Sequence, residues 1–332
     1  MELVRKVRLH LLSKAILDSL LAGKSCLLKN TECRDYIENV RSNKVKGLKF
    51  KNAGASFQNR YCAQENFNVF VSGYTQKNQN IYNFKRLNLT EAPKLIEIKR
   101  DFYGSKTVSV NEKIYFLGHS SMYYYSILTK QWSEIINFPR QRRHYCACNF
   151  MNKIYFLGGE ILLHNMAFDT ATEKWEKLPE MEQNIRMAAG CAVFGSSIFV
   201  TGGKGLYKRL KSVERYDGHS WSGEIPDMLM RRCRHSCVVA NGKMYVVGGQ
   251  TSSCEVYDGF SFAYVTGNSP HCKSPVMGGM SCVAMGSKIV VYSGMYHRFV
   301  VYDCDKEKWS DLKFFQFSKF VDIYKVFKMP KL

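Results

Sequence analysis

Apolar positions along the chain gather in short runs that end on glycine, and the runs repeat. "KIYFLGGE" at 153–160 has close copies in "KIYFLGHS" at 113, "SIFVTGGK" at 197 and "KMYVVGGQ" at 243. Weaker copies are "FNVFVSGY" at 67 and "KIVVYSGM" at 288. The second glycine position falls at residues 73, 119, 159, 203, 249 and 294, giving intervals of 46, 40, 44, 46 and 45. A phosphate-cradling loop occurs once, ahead of a helix. Copies at this period mark a repeating structural unit, and the glycines are turn residues that end a strand.

Each unit predicts four strands. A second apolar run precedes the glycine strand, as in "CACNF" at 146 and "CVVAN" at 237. A third follows it and ends in an aromatic and usually Asp or Ser: "MYYYS", "MAFD", "VERYD", "CEVYD", "FVVYD". A large aromatic then comes five or seven residues later, pairing Tyr125 with Trp132, Phe168 with Trp175, Tyr216 with Trp221 and Tyr302 with Trp309. Phe262 takes the tryptophan place after Tyr257. Such a sheet cannot bury both faces alone, so neighbouring sheets stack around an axis.

The double glycine, the aromatic–Asp pair and the spaced tryptophan resemble the kelch repeat over residues 50 to 332. The resemblance implies an all-β, six-bladed propeller with blades at about 50–100, 101–140, 141–182, 183–229, 230–273 and 274–316. The tail "SKFVDIYKVFK" alternates like a strand, and 317–332 is expected to close the ring, as in kelch propellers of the cullin-adaptor class. Residues 3 to 45 predict a short α-helical segment. Ser13 caps a helix carrying Ile16, Leu17, Leu20 and Leu21, and Asn30 or Thr31 caps another carrying Cys33, Ile37 and Val40. "VRLHLL" and "NTECRDYIENV" resemble the end of a BACK domain, with His10 where that family has proline. The stretch 1–45 is therefore read as the C-terminal helices of a BACK-like domain, and the chain as a BTB–BACK–kelch adaptor without its BTB domain.

Composition narrows the function. With 45% hydrophobic and 14% aromatic residues the chain can bury a core, and it holds no apolar run long enough to span a membrane as a helix. Twelve cysteines without a secretory signal read as reduced thiols in a cytoplasmic protein, with cytoskeletal association as a further possibility. Cys191, Cys237 and Cys282 stand twelve residues before the second glycine of their repeats, on the strand nearest the axis, where small side chains pack. Cys146 and Cys148 share one face of a strand. No Cys-x-x-Cys occurs and the histidines are scattered, so neither a metal nor a cofactor is expected. "AGKS" at 22–25 has Asp18 where a nucleotide loop needs glycine.

The net charge of +20 favours acidic partners. Alternating strand directions bring the loops leading into each blade and the loops after each glycine pair to one face. Those loops are basic. "PRQRRH" supplies Arg140, Arg142, Arg143 and His144, and a later loop supplies Arg186. "RRCRH" supplies Arg231, Arg232, Arg234 and His235, and "KGLYKRLK" supplies Lys204, Tyr207, Lys208 and Arg209. Tyr74, Tyr103 and Tyr296 belong to the same rim. Arginine forks bind carboxylates, tyrosines add rigid contact, and loop arginines are expected to carry little core packing. The expected partner is a substrate protein engaged through an acidic loop or peptide. The family resemblance implies capture of that substrate for ubiquitination, with cullin-3 reached only through a BTB-containing partner or a longer form. Actin binding is the alternative that the family supports. An oxidase of the galactose oxidase kind would need copper ligands from Tyr and His with a Tyr–Cys crosslink. No His pair converges in register, so the chain is not read as an enzyme, and nucleic acid ranks below the protein partners.

Overall fold

The computed structural model describes residues 106–311, with breaks of which 267–280 is the longest, and four further strands in backbone alone. The chain divides into compact units at 1–63 and 64–332, and all described residues fall in the second. The helices expected over 1–45 lie outside the described residues, as do Tyr103, Arg140 and Tyr296, while Tyr74 is described in backbone only.

Five sheets are each built from four consecutive antiparallel strands. Blade A comprises Lys106–Val110, Lys113–Leu117, Met122–Ser126 and Gln131–Ile135. Blade B comprises Cys146–Phe150, Lys153–Leu157, Met166–Asp169 and Lys174–Lys177. Blade C comprises Gly190–Phe194, Ser197–Thr201, Val213–Tyr216 and Trp221–Ser222. Blade D comprises Ser236–Ala240, Lys243–Val247, Cys254–Tyr257 and Phe262–Tyr264. Blade E comprises Ser281–Met285, Lys288–Ser293, Arg298–Asp303 and Lys308–Asp311. A further four-stranded sheet pairs Asp322–Pro330 with Phe67–Tyr74, followed by Gln79–Phe84 and Lys94–Ile98.

The expectation of a six-bladed propeller preceded by helices is corrected here. The blades of consecutive strands with described side chains number five, and the described residues contain no helix. The remaining sheet is assembled from opposite ends of the second unit and is described in backbone alone. The glycine-ending strand Phe67–Tyr74 lies in this composite sheet rather than in a blade of four consecutive strands. The established body is an all-β, five-bladed propeller with a composite sheet beside it.

Local chemistry explains the blade. The turns between first and second strands take left-handed residues in succession, Met151 and Asn152 in blade B and Asn241 and Gly242 in blade D, which matches the twist of a tight hairpin. The aspartate after the third strand folds the next turn. Asp169 accepts the amides of Ala171 and Thr172, and Asp217 those of His219 and Ser220. Asp258 and Asp303 repeat the arrangement. The spaced aromatics are cross-strand partners, Phe168 opposite Trp175 and Tyr216 opposite Trp221, each with ring centroids 5.0 Å apart. Tyr257 faces Phe262 at 4.8 Å.

The glycine pairs are where blades meet. The Gly159 amide donates to the Arg186 carbonyl of the following blade, and the Gly203 amide donates to that of Arg232. A Cβ on Gly158 would lie 2.4 Å from the Arg186 oxygen, and one on Gly202 would lie 2.6 Å from that of Arg232. Both glycines also hold positive φ, so no other residue fits there without strain.

From each docked backbone an arginine side chain turns into its own blade. Arg186 is fully buried; its Nη1 donates to the carbonyls of Gly202 and Ser212, and its Nη2 to Glu214 at 2.6 Å. Arg232 repeats this with Gly248, Ser253 and Glu255. The two carboxylates also accept backbone amides, Glu214 from Glu182 and Gln183, Glu255 from Leu229 and Met230. A third equivalent, Arg142, is 2% exposed and its amide donates to the His119 carbonyl. The expectation that Arg142, Arg186 and Arg232 are rim residues with little packing is therefore corrected. Their guanidinium groups are buried inside their own blades, while the Arg186 and Arg232 carbonyls make the contact with the preceding blade.

Removing one partner of such a pair leaves an uncompensated buried charge. Glu255→Ala should lower unfolding free energy by about 3–5 kcal/mol. Arg232→Met combined with Glu255→Val should lose less, since no charge is then stranded; blade E carries Val300 in the acid place. Urea titrations of both variants check this, and a double variant weaker than the single one would contradict it.

Candidate functional site

The segments leading into blades B, C and D are stitched side by side. The Ala188 amide donates to the His144 carbonyl at 2.6 Å, and the Arg234 amide donates to the Ala188 carbonyl at 2.7 Å. His144, Ala188 and Arg234 occupy one register position and share a left-handed backbone, with φ of 58°, 52° and 59°. The same position holds Gly104 ahead of blade A and Gly279 ahead of blade E. Glycine is the usual occupant of such a conformation, so the three side chains are carried at a cost.

Over this belt stands the loop after the glycine pair of blade C. Met187 and Lys204 exchange amide–carbonyl bonds of 2.9 and 2.7 Å, Gly205 donates to the Lys208 carbonyl, and Leu210 donates to that of Gly203. The Arg231 guanidinium donates to the Arg209 carbonyl, fastening the loop to the segment before blade D. Tyr207, at the loop's tip, is 94% exposed.

Belt and loop enclose a groove of about 450 Å³, lined by His144, Met187, Ala188, Lys204, Tyr207, Lys208, Arg209, Cys233 and Arg234. No acid lines it. Burial lowers the His144 pKa below the ordinary histidine value; Arg234, His119 and Lys106 add to that, and Glu160 opposes it. The imidazole is thus more readily neutral than an ordinary one, and the groove's positive charge comes from lysine and arginine. Among the described residues no group of three His, Cys, Asp or Glu side chains could hold a metal ion.

Of the residues singled out in the sequence, His144, Lys204, Tyr207, Lys208, Arg209 and Arg234 come together in this groove. Arg143 and Arg231 are exposed beside it in the chain. Arg142, Arg186 and Arg232 point into the body, as described above. His235 is also corrected: it is 5% exposed, its Nε2 lies 2.7 Å from the Thr201 hydroxyl, and burial pushes its pKa down to about 3. It is a neutral core group. Met187, Ala188 and Cys233 line the groove and were not foreseen. The signal for Ala188 was available, because glycine holds the matching position in two other repeats.

The strained belt makes a prediction. Ala188→Gly removes a Cβ from a left-handed site and should stabilise the chain by up to about 1 kcal/mol. Thermal unfolding reads this as a rise in melting temperature; a fall would mean that the left-handed position is not strained.

A protein-family model described as the Kelch motif matches residues 231–267, which contain blade D. Kelch-like protein 23 of Homo sapiens is 33% identical over 113 residues, covering 32% of this chain and 20% of that protein. Kelch-like protein 35 of Mus musculus is 24% identical over 197 residues, 55% of this chain and 33% of that protein. Kelch-like protein 38 of Rattus norvegicus is 27% identical over 150 residues, 43% of this chain and 25% of that protein. The aligned part thus spans from 20% to 33% of the length of these curated relatives. The motif and the relatives together support a kelch family for this propeller.

Proposed function

We propose that this propeller is a protein-recognition module whose basic groove takes an acidic loop or peptide of a partner. The observation that carries the reading is the groove itself. It is about 450 Å³, lined by Lys204, Lys208, Arg209 and Arg234 with Tyr207 and, among the described residues, no acid, on a chain of net charge +20. Arginine and lysine at the rim attract and orient carboxylates, and Tyr207 offers a rigid apolar face. A binding role rather than catalysis is part of this reading. So is service as the substrate-recognition half of a cullin-3 ubiquitin ligase adaptor in the cytoplasm, which rests on the resemblance of the sequence to BTB–BACK–kelch adaptors.

The test compares two charge reversals. Lys208→Glu with Arg209→Glu changes the groove, whereas Lys174→Glu with Lys243→Glu changes exposed lysines at the opposite end of blades B and D. An immobilised peptide library rich in Asp and Glu, and its Asn/Gln counterpart, serve as probes. Wild type should retain acidic peptides in low salt, and the groove variant should bind them about tenfold or more weakly, about 1.4 kcal/mol. The opposite-end variant should bind as wild type does. Equal losses in both variants would reduce the effect to net charge and remove the groove reading.

A further inference from the structure

Blade B keeps the buried arginine of its neighbours but not its acid. Strand register aligns Glu214 with Val200 and Glu255 with Val246; the same place in blade B, opposite Phe156, is Met166. In blade E the acid place is Val300, opposite Val291, and the arginine place in sequence is Met277. In blade A these places are Tyr123 and Phe102. The two charges are therefore present together in blades C and D and absent together in blades A and E. Arg142 alone stands without its partner.

Its surroundings do not make up the deficit. Arg142 Nη2 donates to the His164 carbonyl, the counterpart of the Ser212 and Ser253 carbonyls, but His164 offers no hydroxyl as those serines do. Arg142 Nε and Nη1 are buried with no hydrogen-bond partner among the described residues. Burial pulls the guanidinium below the usual arginine pKa, and the group opposing that is Tyr145 rather than a carboxylate. Tyr145 itself donates its hydroxyl to the Leu117 and Gly118 carbonyls. Arginine does not give up its proton in proteins, so the charge persists and calls for a counter-charge.

We propose that Arg142 is the anchor of a buried site for a small monoanion, a carboxylate of acetate size or a halide, which supplies the charge that Glu214 and Glu255 supply in the neighbouring blades. At 2% exposure Arg142 is closed to a bulky ligand. The site does not depend on the groove reading, because the guanidinium is core and no groove-lining side chain takes part.

The experiment uses the full chain with sodium acetate and, separately, sodium chloride as probes. Thermal unfolding is followed for wild type, Met166→Glu and Arg142→Met at equal salt, so that general salt effects cancel between proteins. Once the binding anion is a hundredfold above its dissociation constant, the wild-type melting temperature should rise about 5 °C more than that of either variant. Met166→Glu should exceed wild type without added anion. A response to acetate alone marks a carboxylate site, and a response to chloride marks a halide site. Broadening of the acetate methyl resonance by wild type, absent with Arg142→Met, reads an acetate site without unfolding. Identical salt responses of all three proteins in both salts would overturn the proposal.

Discussion

The structure depends on one contact: the carbonyl of an arginine backbone set onto the glycine pair of the preceding blade. Arg186 on Gly159 and Arg232 on Gly203 each fix the chain at the point where one blade ends and the next begins. The same residue then sends its guanidinium into its own blade, so one amino acid holds two blades by different atoms. A β-carbon on either first glycine would sit well inside contact distance of the carbonyl. That is why the glycine pair, and no phosphate chemistry, recurs along the chain.

From this contact the surface follows. With the arginine pinned, the residue two positions later has to turn the chain back into the first strand of the blade, and it does so in the left-handed region. His144, Ala188 and Arg234 are forced into line, and their amides and carbonyls join across blades. The groove floor is thus made of backbone fixed by the core, while its walls are long basic side chains free to meet a partner. A rigid base carrying adaptable polar arms is what the proposed binding role calls for.

Much of the fold was legible because each mark has a local cause. Aromatic spacing reports cross-strand pairs such as Tyr216 with Trp221, and the aspartate after each third strand reports a turn held by its own carboxylate. Side-chain direction within "PRQRRH" and "RRCRH" was not legible. Composition marks both segments as basic loops, yet Arg142 is buried beside exposed Arg143, and Arg232 beside exposed Arg231. The clue lay elsewhere, in the glutamates of "VERYD" and "CEVYD", residues remote in sequence that only strand register brings beneath the arginines. The number of blades was overread because the strand around Gly73 repeats the glycine mark yet lies in a sheet assembled from both ends of the second unit.

The division between buried and exposed arginine also sets the electrostatics of the groove. Arg186 and Arg232 are neutralised within the core by Glu214 and Glu255, so in the region of the groove their fields largely cancel. The attraction felt by an approaching anion comes from Lys204, Lys208, Arg209 and Arg234, which line the groove with no acid among the described residues. Arg142 differs because its field has no internal partner. It lies two residues before His144, which itself lines the groove. A counter-anion bound there would restore the balance found in blades C and D. The buried arginine that lacks its glutamate is thus the one point where the core of these blades would call on a group from solution.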